Sequence, residues 1–267
     1  MSRRKVLAAS FFSLAAVILL ACYLSGGVGS GTPAPTSEGS TSAAPSGGST
    51  AVPAASGSGA CANSLYPVVA GVTWNYQLSG TVNDTIVRKI NSVSGTGFED
   101  QDTFGSGTTR TGQWNCDAGA LIALDPSAGS SANVQTNSSS GEFTTTAMSG
   151  VTLPATVNTG DAWSQSVTLE GTVTMNGAQA PAKNEFTNHC TADGNESVSV
   201  PAGDFNAMKV TCQTNMIITI TIAGTSIPTP VNITSVSWYA PNVGMVKSTG
   251  TGANFDTTTV LTSYTIP

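Results

Sequence analysis

The sequence predicts an all-β domain, a large antiparallel sheet curled into a barrel or half-barrel, hung behind a disordered tether. Three observations carry that prediction. From Cys61 to Pro267, short runs rich in Val, Ile and Thr alternate with Gly, Asn, Asp and Pro. No segment of this region shows a 3.6-residue apolar period. Between Ser25 and Ala60, every position except Val28, Glu38 and Val52 is Gly, Ser, Thr, Ala or Pro, a composition that cannot bury enough apolar surface to offset its ordering entropy. A β-sandwich is the alternative packing of the same strands.

The chain starts with Arg3, Arg4 and Lys5, followed by an apolar stretch from Val6 to Ala21 that only Ser10 and Ser13 interrupt. This is the basic start and apolar middle of a signal peptide, assigned to residues 1–21. The run falls short of the roughly 20 apolar residues a spanning helix needs. Its end, Leu19-Leu20-Ala21-Cys22, resembles the lipobox of bacterial lipoproteins, in which the cysteine is lipidated and becomes the new N-terminus. The resemblance implies lipidation at Cys22, a membrane partner through that lipid, and residence at the extracytoplasmic face of the bacterial cell envelope. Residues 22–60 then form the tether and 61–267 the secreted domain. A flexible chain of that length reaches ~30–36 Å.

Removing residues 1–21 leaves six basic against fifteen acidic residues, a charge of −9. Phosphate backbones need clustered Lys and Arg, so nucleic acid is excluded as a partner. Four cysteines follow Cys22: Cys61, Cys116, Cys190 and Cys212. An even number in an exported chain points to disulfides. Three pairings are open, and Cys61 with Cys116 and Cys190 with Cys212 is preferred, because the second pair flanks an expected hairpin. No C-x-x-C pair occurs and the sole histidine, His189, adjoins Cys190, so neither a metal site nor a cofactor is expected.

Strands are expected at 72–82, 85–93, 108–116, 141–148, 167–175, 197–200, 207–214, 216–222, 231–239, 244–248 and 257–266. The clearest alternation is Val167, Leu169, Gly171, Val173 and Met175 against Thr168, Glu170 and Thr172. Val200-Pro201-Ala202-Gly203 reads as a hairpin turn that brings Cys190 and Cys212 together, and Ala240-Pro241-Asn242-Val243-Gly244 as another. There is also an internal echo. Gly71-Val72-Thr73-Trp74 precedes Gly80-Thr81-Val82, and Gly160-Asp161-Ala162-Trp163 precedes Gly171-Thr172-Val173, which suggests a duplicated sheet unit.

Three blocks carry a further resemblance: Tyr66 to Tyr76 (YPVVAGVTWNY), Val198 to Phe205 (VSVPAGDF) and Trp238 to Lys247 (WYAPNVGMVK). They resemble the "G-x-x-W-x-Y", "V-P-A-G-x-F" and "W-Y-A-P-x-V-G-x-V-K" signatures of a broad, poorly characterised family of bacterial secreted lipoproteins. Asn242 stands where that family often has Gly, and Ser164-Gln165 follows Trp163 without the usual aromatic. The expected shape resembles that of periplasmic lipoprotein carriers, which hold acyl chains on a concave apolar face.

Catalytic residues are not expected. The chain has no G-x-S-x-G elbow, and one histidine cannot build H-E-x-x-H. Glu99-Asp100-Gln101-Asp102, the densest acidic cluster, lacks the spacing of a calcium loop and reads as an exposed strand or loop edge. Trp74, Trp114, Trp163 and Trp238 are candidate ligand-face aromatics, with core packing as the competing role. The function so indicated is a non-enzymatic binding or structural domain, with an apolar ligand or lipid, or an envelope glycan, as partner; the alternative is a carboxylate-dependent enzyme or a binding module for extracellular polysaccharide.

Overall fold

The computed structural model describes residues 59–124, 133–135, 139–175, 177–253 and 255–267. The signal peptide, Cys22 and all of the tether except Gly59 and Ala60 lie outside the described residues. The described residues begin with a 3-10 turn, Gly59–Cys61.

Among the described residues thirteen antiparallel strands follow: β1 (Thr73–Gly80), β2 (Asp84–Val93), β3 (Gly97–Phe104), β4 (Thr109–Asp117), β5 (Ala120–Ala123), β6 (Asn133–Gln135), β7 (Ser139–Gly150), β8 (Ala162–Met175), β9 (Ala178–Val200), β10 (Gly203–Ile222), β11 (Thr225–Ala240), β12 (Gly244–Gly252) and β13 (Phe255–Thr265). They form two meanders, β1–β4 and β6–β13, in one sheet rather than a sandwich. β1 pairs with β13 over eight residues, and β4 pairs with β6 over Thr109–Thr111, so the sheet curls into a nearly closed barrel with β5 hanging from β4. Curling removes most of the open edges that would otherwise template aggregation.

Period-two alternation decides what faces inward. On β1 Trp74, Tyr76 and Leu78 are buried; on β8 Gln165, Val167 and Leu169 are. The main core packs β1–β5 against β9–β13. A smaller cluster of Val173, Ala180, Ala182 and Ile220 sits at the far end of β8–β10, rimmed by the partly buried Phe143, Met175, Ile218 and Ile222. Disulfides join Cys61 to Cys116, pinning the 3-10 turn to β4, and Cys190 to Cys212, bridging directly opposed residues of β9 and β10.

The internal echo is visible in the backbone. Gly71 and Gly160 have φ of +88° and +90°, a conformation that favours glycine. Gly71 N–H donates to Ile90 C=O (2.9 Å) and Ile90 N–H to Val72 C=O (3.0 Å); Gly160 N–H donates to Ala192 C=O (2.8 Å) and Ala192 N–H to Asp161 C=O (2.9 Å). Each turn therefore launches a Trp-bearing strand in the same register.

The strands depart from the expected ones in several places: β5 and β6 were not expected, and β8 and β11 begin earlier, at Ala162 and Thr225. β9 runs from Ala178 to Val200, of which only the last four residues were expected, and β10 joins two expected runs into one. β3 was not expected as a strand of the barrel wall, and it holds the acidic cluster. Glu99-Asp100-Gln101-Asp102 is not an exposed edge: β3 lies between β2 and β4, and Asp100 and Asp102 are both 0% exposed.

Candidate functional site

The acidic cluster enters the interior because alternation turns Asp100 and Asp102 to the same face of β3. Register places Arg88 of β2 and Arg110 of β4 on either side of Asp102. Arg88 Nε and Nη2 donate to Asp102 Oδ1 and Oδ2 at 2.7 and 2.9 Å, and Arg110 Nη2 donates to Oδ2 at 2.6 Å. Burial alone would raise the Asp102 pKa, yet the two guanidinium groups hold it below the usual carboxylate range. Paired donors of this kind make a buried charge tolerable.

Asp100 has a different surrounding. It lies opposite Ile90 and Gly112, and neither carboxylate oxygen closes a hydrogen bond among the described residues. Burial pushes its pKa up to about 7, against the pull of Arg88 and with the push of Asp102. Tyr66, Phe98 and Trp114 pack nearby, with Phe98 and Trp114 stacked at 5.1 Å and Tyr66 tilted on Trp74 at 5.1 Å. The carboxylates are thus sealed within an aromatic core, beyond the reach of a polymeric substrate.

Trp74, Trp114 and Trp238 are buried members of the main core, and Trp163 packs against it. Trp74 (0% exposed) and Trp114 (7%) belong to the core; Trp74 Nε1 donates to Val243 C=O at 2.6 Å. Trp163 is partly buried, with Nε1 donating to Thr152 C=O at 3.0 Å. Trp238 lies beneath the Lys209 and Lys247 ammonium groups, 5.8 and 4.9 Å from its ring centroid, and donates Nε1–H to Glu196 Oε2 at 2.9 Å. That bond and the Lys209 contact lower the Glu196 pKa. His189 is exposed on β9, opposite Ser164 and Gln213. Among the described residues, no three His, Cys, Asp or Glu side chains gather where a metal could be held.

An open trough of about 630 Å³ crosses β7–β11. Two cross-strand rows flank it: Ala147, Thr168, Glu185, Ile217 and Pro230, then Ser149, Ser166, Thr187, Asn215 and Asn232. Between them runs the row of Met148, Val167, Phe186 and Met216. Because adjacent rows face opposite ways, Val167 and Phe186 are buried on the other side of the sheet. A second trough of about 360 Å³ shares Asn215 and Asn232 and continues along Gln213, Thr234 and Thr251. The sequence did not single out this surface; the signal was the run of Ser, Thr and Asn at alternate positions of β8–β11, which reads equally as an ordinary solvated face.

A family model described as DUF3108-like matches residues 108–266. No curated protein matches the chain. Among solved structures, a candidate lipoprotein from Parabacteroides distasonis is similar at 17% identity and a TM-score of 0.51, over 76% of this chain and 99% of its own. A candidate exported protein with YmcC-like fold from Bacteroides fragilis gives 16% and 0.43, covering 76% and 100%. The hypothetical lipoprotein YmcC from Escherichia coli gives 8% and 0.36, covering 74% and 86%. At these identities the first likeness speaks for the fold.

Proposed function

The chain belongs to the DUF3108-like family, and from that premise we propose that it is a lipid-anchored protein of the bacterial envelope whose β domain, on the extracytoplasmic side, binds rather than catalyses. The cysteine inventory carries this reading. Two disulfides consume Cys61, Cys116, Cys190 and Cys212, so Cys22 is the odd cysteine of five, placed directly behind the apolar leader and a small residue. Disulfides persist in oxidising compartments. Several acyl chains on one cysteine anchor durably, at roughly 0.8 kcal/mol per buried CH₂.

The ligand proposed is apolar, an acyl chain or lipid, received at the rim where Phe143, Met175, Ile218 and Ile222 are only partly covered. The interior around Tyr66, Trp74, Phe98 and Trp114 is already filled by side chains, so the aromatic half supplies support and not the site. A second reading, an envelope glycan, is favoured by one observation: the trough's row of Ser149, Ser166, Thr187, Asn215 and Asn232 offers hydroxyl and amide groups without charge.

Labelling cells with an alkynyl fatty acid tests the anchor: label on the wild-type protein and its loss, with release from membranes, in Cys22→Ala is the expected result. Label retained by the variant would refute it. Native mass spectrometry of the exported protein tests the ligand. A co-purified mass in the lipid range that denaturation releases supports the apolar reading, and a series spaced by sugar residues replaces it with the glycan.

A further inference from the structure

Asp100 and Asp102 share one strand and one face, yet only Asp102 has donors of normal geometry. The reason is spatial. A Cβ on Gly112, directly across β3–β4, would stand 2.3 Å from Asp100 Oδ1 and 3.4 Å from Trp114 Nε1. The carboxylate therefore occupies the place of a missing side chain, wedged against the β4 backbone. The groups that face it are Arg88 from β2, Asp102 from its own strand, Arg110 and the Trp114 indole from β4, and Tyr66 from the segment before β1. Both arginines bind Asp102, and Trp114 Nε1 lies close without closing a bond. A buried carboxylate that accepts no hydrogen bond is strongly disfavoured in its charged form, whereas the neutral acid is an acceptable neighbour for aromatic rings.

We propose that Asp100 is a proton-operated latch on the β3–β4 wall: as a neutral acid it packs against Gly112 and keeps the wall closed, and loss of its proton loosens β3 from β4. The wall is a sensitive place for such a device, because β4 is where the barrel closes on β6, through three paired residues among those described. The direction of the raised pKa agrees. The folded protein keeps a proton that the unfolded chain releases in the ordinary carboxylate range, so the latch's contribution is complete below that range and is lost as the pH climbs through about 7. A domain facing the cell exterior meets such changes directly.

The test follows the side-chain carboxyl ¹³C resonances of the whole protein with pH, together with hydrogen exchange of the β3 and β4 amides corrected for intrinsic rate. One carboxyl should titrate far above the others, and it should vanish in Asp100→Asn. Protection of Gly97–Phe104 and Thr109–Asp117 should fall about tenfold or more between about pH 6 and 8.5 in the wild type and stay level in Asp100→Asn. If every carboxyl titrates below about pH 5, or if both proteins lose protection alike, the latch is overturned. Should Asp100→Asn fail to fold, the wild-type carboxyl titration decides alone.

Discussion

The two Trp-opening units of the barrel place different bonds at one lattice position. In the first, the row across the strands reads Trp74, Arg88, Asp102, Arg110; in the second it reads Trp163, Cys190, Cys212, Ser235. The opening turns match hydrogen bond for hydrogen bond. Yet the second and third strands are tied by an ion pair in one unit and by a disulfide in the other. The comparison separates what the fold requires, a cross-strand tie two residues before the strand leaves the turn contact, from the chemistry that supplies it. A disulfide acts largely on the unfolded chain and is indifferent to pH and salt. A buried ion pair must balance its own desolvation and therefore depends on every partner remaining in place.

The largest effect should come from breaking the ionic tie. Asp102→Ala removes the carboxylate that both guanidinium groups bind and should cost about 3–5 kcal/mol in urea unfolding. The triple replacement Arg88→Met, Asp102→Leu, Arg110→Met should recover much of that loss; if it is as unstable as the single variant, the charges specify more than a tie. Breaking the covalent tie with Cys190→Ala and Cys212→Ala closes no 22-residue loop and should cost about 3 kcal/mol, an effect that calorimetry would read as a lower Tm. Acid sharpens the contrast. Asp102 has a depressed native pKa, so its contribution is full above the ordinary carboxylate range and lost as the pH falls through the native value. Stability of the wild type should drop more steeply with acid than that of Asp102→Asn, while the double cysteine variant should keep the wild-type slope. The smallest effect concerns the shared turn. Gly160→Ala meets no atom within 4 Å and should cost only the strain of a positive φ, about 1 kcal/mol. Gly71→Ala adds a contact with Pro267 Cγ at 3.4 Å and should cost slightly more; equal Tm values would show that this contact gives way freely.

Where apolar alternation was regular the sequence was readable, as in Val167 to Met175, and the turns at Pro201 and Pro241 fell where Pro and Gly placed them. The preferred disulfide pairing followed from one such turn. β3 was illegible for a physical reason: burial is inferred from apolar side chains, whereas Asp100 and Asp102 are buried by partners on other strands, Arg88, Arg110 and Gly112, whose register no local window reveals. The length of β9 was hidden similarly, since Asn184 and Asn188 interrupt its apolar positions. The four tryptophans show the limit for a site. Their strand positions were legible, but whether an indole meets a ligand, a core or a pair of lysines depends on neighbours that arrive from remote strands.

The zipper between β1 and β13 sets a schedule for the molecule's assembly. β1 finds one of its two neighbours in Thr257–Thr265, the last stretch of the chain. A chain made from its N-terminus delivers β1 long before β13. The barrel therefore cannot close until β13 is available, and Trp74 and Tyr76 stay apart from Leu261 until then. Such distant pairing makes for slow folding. It also makes β13 indispensable: losing this eleven-residue strand would leave β1 and β12 as open edges, and retention of fold without it is the outcome this topology forbids.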